Sequence, residues 1–321
     1  MRGTMQQCAA MFIEFHRNLI ADRARNAAFY RALQQIIVPG VTTVADLGSG
    51  TGLLGFYALQ LGAKDVYFYE YSPALKLSQK IARHNGLRRG HFIHQHSRQV
   101  DKPVPVDVVV SETLGNYAYE ENIIETLADA RRFLKPGGTL IPQHIAQFVT
   151  PVITPRVYQE LCVWDDVGAD LDFSLAKEMS VNNLYVRSLK REDLLDSGAS
   201  AKRWDAVDLR KKNASVRRGH ATWTLTGDIT LYGFALWWEC ELLPEIALST
   251  SPLAPRSHWE QLYCPVREPI HAHGGDELSI TLTSDSRFEV GASLKWNVVL
   301  KSKTAEILTQ QSLDMKYGDT A

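Results

Sequence analysis

One stretch of the chain, residues 41–72, constrains the fold more than any other. It reads VTTVADLGSGTGLLGFYALQLGAKDVYFYEYS, in which an apolar run ends at Asp46, glycines follow, and a second apolar run ends at Glu70. This order predicts a β-strand, a tight turn, a helix over roughly Leu53 to Leu61 and a second strand. Such units build parallel sheets, whose ligands bind beyond the carboxyl ends of the strands.

The glycine turn predicts a binding site for a nucleotide-containing cofactor. Gly48, Gly50 and Gly52 permit a tight turn and a close approach of the ligand to the backbone, which side chains would block. Glu70, at the tip of the second strand, can accept hydrogen bonds from both hydroxyls of a ribose.

Two cofactors fit these glycines. Gly50, Gly52 and Gly55 satisfy the dinucleotide pattern G-x-G-x-x-G, and Glu70 lies 20 residues beyond Gly50. The form D-x-G-x-G-x-G, with Asp46 just before the turn, resembles the S-adenosylmethionine enzymes of the Rossmann-like class. An acid there can receive the ammonium group of the methyl donor, whereas it would repel a pyrophosphate. We therefore expect S-adenosyl-L-methionine, with a nicotinamide cofactor as the alternative.

Glu112 and Glu121 are the next candidate site residues. They lie nine positions apart in VDVVVSETLGNYAYEENI, after the apolar run Val106 to Val110. If this run is a buried strand, Glu112 emerges at the ligand-binding edge of the sheet. Two poorly solvated carboxylates repel each other, and a guanidinium, whose planar fork matches carboxylate geometry, would relieve that repulsion. The simpler alternative for this segment alone is an exposed loop with surface charges.

Composition limits the remaining possibilities. The chain has 321 residues, 45% of them hydrophobic and 22% charged, which is enough for two domains. Its net charge of −1 provides no basic field, so we expect no nucleic-acid partner. Cys8, Cys162, Cys240 and Cys264 are widely spaced, which predicts a reducing compartment and no structural zinc. No stretch approaches the roughly 20 apolar residues of a membrane span, so we expect a cytoplasmic protein without membrane association.

The chain changes character near Pro142. Before it, a helical pattern from about Ala9 to Gln35 is followed by alternating strands and helices. After it, segments such as Thr230 to Leu242 alternate apolar and polar residues, which is typical of strands with one buried face. Several such strands in succession predict a barrel or sandwich. We expect an α/β domain over residues 1–141 and a β domain over residues 142–321.

These features resemble one family, the protein arginine N-methyltransferases. The segment Ser111-Glu112-Thr113-Leu114-Gly115, with Glu121 after it, is similar to the family's double-E loop. Ser257-His258-Trp259 is similar to its T-H-W loop, with serine in place of threonine. The spacing of four N-terminal residues matches the helix that covers the donor in this family: His16, Leu19, Asp22 and Arg25.

The resemblance implies a fold and an activity. The fold is a Rossmann-like class I methyltransferase domain followed by a β-barrel domain, with a helical dimerisation arm inserted at about 156–190. The activity is transfer of a methyl group from S-adenosyl-L-methionine to a guanidinium nitrogen of arginine in a protein or peptide, carried out by a homodimer. Two alternatives stay open, namely methylation of a small guanidine or other small molecule, and a donor-binding scaffold without turnover.

The resemblance also implies roles for individual residues. Glu112 and Glu121 would hold and polarise the guanidinium, with Asp22 and His258 as catalytic neighbours. Residues implied to bind the donor are Arg25, Asp46, Gly48, Gly50, Gly52, Glu70 and Glu112. Residues implied to line the substrate pocket, besides the two glutamates, are Trp259 and Leu19.

Three segments depart from the family pattern or allow two interpretations. The family commonly has an acidic side chain after strand three, where this chain has Ser97, Arg98 and Gln99, so backbone groups would have to hold the adenine. Three nearby histidines, His91, His94 and His96, are more simply a polar sheet edge than a metal site, and we expect no metal. The apolar residues of the predicted arm can dock on a second subunit or pack on the barrel: Leu161, Trp164, Leu171, Phe173 and Leu175.

Overall fold

A computed structural model describes residues 13–318 of the chain. Cys8 and the predicted start of the first helix near Ala9 lie outside this range. Two helices open the described part, α1 over residues 13–21 and α2 over Arg23–Ile36. The break between them falls at Asp22, whose carboxylate caps α2 by accepting a hydrogen bond from the Arg25 N–H.

The first half of the chain forms a five-stranded parallel sheet in the order β3-β2-β1-β4-β5. Its elements are β1 (Thr43–Leu47), α3 (Leu53–Gln60), β2 (Asp65–Tyr69), α4 (Ala74–His84), β3 (Gly90–Ile93), β4 (Val106–Ser111), α5 (Ile123–Ala130) and β5 (Leu134–Ile141). The strand order reverses between β1 and β4. A crevice beyond the carboxyl ends of those two strands is therefore the expected ligand site.

The second half forms two antiparallel sheets. One has the order β7-β12-β10-β6-β8 with β11 beside β10, and the other has the order β15-β14-β13-β9. The strands are β6 (His144–Val152), β7 (Tyr185–Arg187), β8 (Lys202–Asp208), β9 (Val216–Thr224), β10 (Ile229–Leu243), β11 (Ile246–Ser249), β12 (Gln261–Ala272), β13 (Glu277–Asp285), β14 (Ser293–Lys301) and β15 (Ile307–Asp314). Because β8 contacts β9 and β12 contacts β15, the two sheets close into a barrel. The predicted fold class is confirmed.

Strand β10 differs from its sequence pattern. Alternation predicted one buried face, yet Ala235 and Trp237 on the other face are buried as well. The reason is that α2 and β11 contact β10, and the Trp237 ring stacks on Phe148 of β6. Helix α2 therefore packs against the barrel although it precedes the parallel sheet in the chain.

An insertion between β6 and β8 contains a 3₁₀ helix (Tyr158–Asp165), α6 (Ser174–Val181) and β7. Leu161 and Val181 are buried, so part of the insertion packs on the barrel. Leu171 and Leu175 are 62% and 84% exposed. The insertion thus combines a packed side with an exposed apolar side.

The change of architecture occurs over two residues. The last parallel strand ends at Ile141 and the first antiparallel strand begins at His144, so we propose a domain boundary at Pro142. No helix within residues 13–318 is both long and apolar enough to cross a membrane.

Candidate active site

A cleft of about 1180 Å³ opens where the two domains meet. The carboxyl ends of β1, β2 and β4 line one side, α1 and α2 cover it, and barrel residues 256–259 close it. All but one of the predicted site residues line this cleft. The exception is Gly52, the residue that precedes α3. Its φ is 93°, and a Cβ at this position would lie 2.3 Å from the Ser78 hydroxyl. Gly52 is needed for the turn itself.

The glycine turn lies against His16 of α1 and beside Glu70. Gly50 has φ of 52°, and a Cβ there would lie 2.8 Å from Cε1 of His16 in α1. The Gly50 N–H donates to one oxygen of Glu70 at 2.9 Å, and the Ser72 N–H donates to the other at 2.7 Å. The Glu70 carboxylate is therefore fixed at the end of β2, beside the turn.

Asp46 connects the end of β1 to α3, beside the glycine turn. Its side chain is buried and accepts a hydrogen bond from the Gly55 N–H of α3 at 2.8 Å. Burial raises the pKa of Asp46 to about 7, and the negative charges of Glu70 and Glu112 act in the same direction. A cation near this carboxylate would favour its ionised form.

Glu112 is already paired with a guanidinium, that of Arg25. The Arg25 Nε donates to Oε2 of Glu112 at 2.9 Å, a second guanidinium nitrogen contacts the same oxygen, and both side chains are only 6% exposed. Oε1 of Glu112 accepts a hydrogen bond from the Leu114 N–H at 3.0 Å. The pair was missed in the sequence, because the family resemblance implies Arg25 only as a partner of the donor.

Asp22 and His258 join α2 to the barrel. One oxygen of Asp22 accepts a hydrogen bond from the His258 N–H at 2.9 Å and lies 2.7 Å from His258 Nδ1. Burial alone would raise the pKa of Asp22, but the hydrogen bonds from Arg25 N–H and His258 outweigh it and lower the pKa. Two residues 236 positions apart thus form a carboxylate–imidazole pair at the cleft.

Glu121 faces the open space of the cleft. Although its side chain contacts solvent, the surrounding protein excludes enough water to raise its pKa to about 7. The nearby charges of Glu112 and Glu120 add to this effect, and Arg25 opposes it. Glu121 is therefore poised to bind a cation.

The loop that carries both glutamates is held by two buried indoles. Trp259 Nε1 donates to the Leu114 carbonyl at 2.8 Å, and Trp238 Nε1 donates to the Gly115 carbonyl at 3.0 Å. The two indoles also pack edge to face, with ring centroids 4.9 Å apart. Trp238 was missed in the sequence because it reads as one of many core residues of β10.

The remaining candidates lie away from the cleft. Arg98 does not line it, and its guanidinium lies over the Phe288 ring at 5.0 Å. His91 contacts Asp65 at 2.9 Å. Within residues 13–318, no cluster of His, Cys, Asp and Glu side chains is arranged to hold a metal ion.

Family models of methyltransferases match both halves of the chain. A family model described as the arginine methyltransferase oligomerization subdomain matches residues 144–299. A model of the ribosomal protein L11 methyltransferase (PrmA) matches residues 29–148.

Individual relatives agree with these matches. The histone-arginine methyltransferase CARMER of Anopheles gambiae is 26% identical over 98% of this chain, which spans about half (53%) of that protein's length. Protein arginine N-methyltransferase 6 of Xenopus laevis is 28% identical, over 84% of this chain and 83% of that protein.

Solved structures share the fold. The Trypanosoma brucei PRMT1 enzyme-prozyme heterotetrameric complex with AdoHcy aligns with a TM-score of 0.80 and 19% identity, over 94% of this chain and 98% of that one. Arabidopsis thaliana protein arginine methyltransferase 10 aligns with a TM-score of 0.79 and 20% identity, over 96% and 99%.

The fold and the cleft define a class of protein, the Rossmann-like methyltransferases that carry an added β-barrel domain. Within that class, the matched relatives are arginine methyltransferases. The chain is thus similar to the protein arginine N-methyltransferases over most of its length.

Proposed function

We propose that this chain transfers a methyl group from S-adenosyl-L-methionine to a guanidinium nitrogen of arginine in protein or peptide substrates. One observation carries the proposal. Glu112 and Glu121 face the same cleft as the glycine turn and Glu70, and Glu112 already binds a guanidinium, that of Arg25. The names of the relatives, all protein methyltransferases, support a protein substrate over a small guanidine.

The residues of the turn fit the proposed donor. Gly48 and Gly50 line the cleft, and the buried Ser49 hydroxyl at the same turn makes no hydrogen bond within the described residues. Glu70 lies where a ribose would be held, and Arg25 can share its guanidinium between Glu112 and a donor carboxylate. When bound, S-adenosyl-L-methionine supplies an electrophilic methyl group on a positively charged sulfur.

The glutamates overcome the poor nucleophilicity of the substrate. A guanidinium has a pKa above about 12 and its nitrogens are poor nucleophiles. Ionised Glu112 and Glu121 can bind two of its nitrogens and draw the positive charge toward them, which leaves the third nitrogen richer in electrons and oriented for in-line attack.

The proton released by the substrate needs an acceptor. If Nδ1 of His258 donates to Asp22, Nε2 of the same ring carries a lone pair and can accept a proton. We assign Asp22 and His258 this role after transfer. Trp259 and Leu19, which line the cleft, would shape the pocket around the arginine side chain.

We further propose a cytoplasmic homodimer. The family match to an oligomerization subdomain and the exposed Leu171 and Leu175 of the insertion support self-association through that arm. Three free cysteines among the described residues, Cys162, Cys240 and Cys264, support a reducing compartment.

The direct test is transfer of a labelled methyl group to an arginine-rich, lysine-free peptide, followed by acid hydrolysis to identify the product. Wild type should yield labelled methylarginine, whereas Glu112→Gln should not. Glu306→Gln, which removes an exposed acid between β14 and β15, serves as the matched control and should retain the wild-type rate. An absence of methylarginine from wild type would refute the proposed reaction.

A further inference from the structure

Three acidic side chains of the double-E loop line the cleft, one more than the family resemblance implies. They are Glu112, Glu120 and Glu121. Glu112 is neutralised by Arg25, whereas the other two make no ion pair with any residue from 13 to 318. Glu120 therefore requires an explanation of its own.

The Glu120 side chain folds back onto its own loop. Its oxygens accept hydrogen bonds from the N–H groups of Asn116 at 2.9 Å and Tyr117 at 3.4 Å. A Cβ at Gly115 would lie 1.9 Å from Oε1 of Glu120, so any other residue at 115 would push this carboxylate away. The glycine and the glutamate form one packed unit.

This unit connects the two ends of the loop. The barrel holds Gly115 through Trp238 Nε1, and Glu120 links that anchored segment to the turn that precedes α5. Since both oxygens of Glu120 are used by backbone N–H groups, Glu121 is the second carboxylate that remains available to a ligand.

We propose that Glu120 is a positioning residue of the guanidinium site. Glu120 fixes the loop so that the Glu121 side chain enters the cleft, and it places a further negative charge beside Glu121. The proposal rests on the proposed methyl transfer for its catalytic consequence only. The geometry of the loop and the charge beside Glu121 exist without the reaction.

The negative charge of Glu120 acts on the pKa of the neighbouring Glu121. Burial, Glu112 and Glu120 raise the pKa of Glu121, in that order, and Arg25 lowers it. The other titratable or charged groups of the cleft, from α1, α2, the strand ends and the barrel, are His16, Asp22, Arg23, Asp46, Glu70, Tyr71, Arg256 and His258. Glu120 is next to Glu121 in the chain, and its carboxylate accepts hydrogen bonds from two N–H groups of the same loop.

The test replaces Glu120 by glutamine, which keeps an oxygen for the Asn116 N–H and removes the charge. The carboxyl carbons of labelled glutamates are titrated by NMR, and Glu121 is assigned by the signal lost in Glu121→Gln. In E120Q we expect the Glu121 midpoint to fall by about half a pH unit, the size of one like charge across a hydrated cleft. The pH at which kcat/KM falls to half of its maximum on the acid side should decrease by the same amount. The fraction of the maximal kcat/KM that remains at pH 6 should therefore rise about threefold.

A second variant separates charge from geometry. Glu120→Ala should show the same midpoint shift and, because the loop loses its internal bond, a maximal rate lower by about tenfold or more. Glu306→Gln should change neither quantity.

An unchanged Glu121 midpoint in E120Q would overturn the inference, even if the rate fell. If wild type transferred no methyl group, the proposed function would fail, while the NMR titration would still decide the role of Glu120.

Discussion

At the scale of single residues, the cleft places ionisable groups where their charges are unfavourable without a ligand. Asp46 and Glu121 both have pKa values raised to about 7, and in each case burial is the largest cause. Glu112, by contrast, pairs with the Arg25 guanidinium. A site of this kind gives up stability in the empty protein so that it can bind cations.

The two glutamates should differ in their effect on stability. Glu112→Gln leaves the buried Arg25 guanidinium without a charged partner, and we expect it to lower the free energy of unfolding by on the order of 2–4 kcal/mol. Glu121→Gln removes a charge that burial and the neighbouring Glu112 make unfavourable, so it should raise the free energy of unfolding, by less than Asp46→Asn does because the Glu121 side chain contacts solvent. Urea unfolding at pH 8 without donor measures both. Equal losses would show that the Arg25 pair contributes no stability.

Asp46 makes stability depend on pH. Its folded-state pKa of about 7 lies above the ordinary value of 3.8, so the folded state binds the proton more tightly than the unfolded state does. This stabilisation is complete below about pH 4 and is lost as pH rises to 7. Asp46→Asn, which can still accept the Gly55 N–H, should raise the free energy of unfolding at pH 8 by on the order of 2–4 kcal/mol. Urea titrations at pH 5 and 8 test this prediction. If the difference in free energy of unfolding between Asp46→Asn and wild type did not increase with pH, the prediction would be wrong.

At the scale of elements, the sequence predicts the features that local pattern determines. Asp46, Glu70 and Glu112 could be placed at strand ends because apolar runs mark the strands and the strand order puts those ends together. The Arg25–Glu112 pair, whose members lie 87 residues apart, could not be predicted from the sequence, because it depends on how α2 packs across the sheet and the barrel. Glu120 was also missed, although its position next to Glu121 and after Gly115 was a usable signal.

The inserted arm is the element that should control assembly. Replacing Leu171 and Leu175 together by serine removes exposed apolar surface and should shift the protein from dimer toward monomer, with folding intact. Sedimentation velocity measures the change. Leu308→Ser, at a half-exposed position of β15, is the matched control and should leave the mass unchanged. A dimer that persists in the double variant would place the interface elsewhere.

At the scale of the whole molecule, the two domains share their most important contacts. The double-E loop belongs to the parallel-sheet half but is held by Trp238 and Trp259 of the barrel, and Asp22 of α2 binds His258. The domains should therefore unfold together.

The distribution of tryptophan makes this testable. All seven tryptophans lie after residue 142, whereas helices α1 to α5 lie before it. Tryptophan fluorescence consequently reports the barrel, and circular dichroism at helical wavelengths reports mainly the other half. We expect the two urea transitions to coincide, and separate midpoints would show that the halves unfold independently.

The indole contacts of the loop also limit how this protein can be re-engineered. A chimera joined at Pro142 would look correct in sequence, with every glutamate of the loop retained. Unless the incoming barrel supplied indole donors beneath Leu114 and Gly115, the loop would lose the support that keeps its glutamates in place. The unit that can be transplanted is thus larger than either domain, and a graft that aims to change substrate choice must carry these two tryptophans with it.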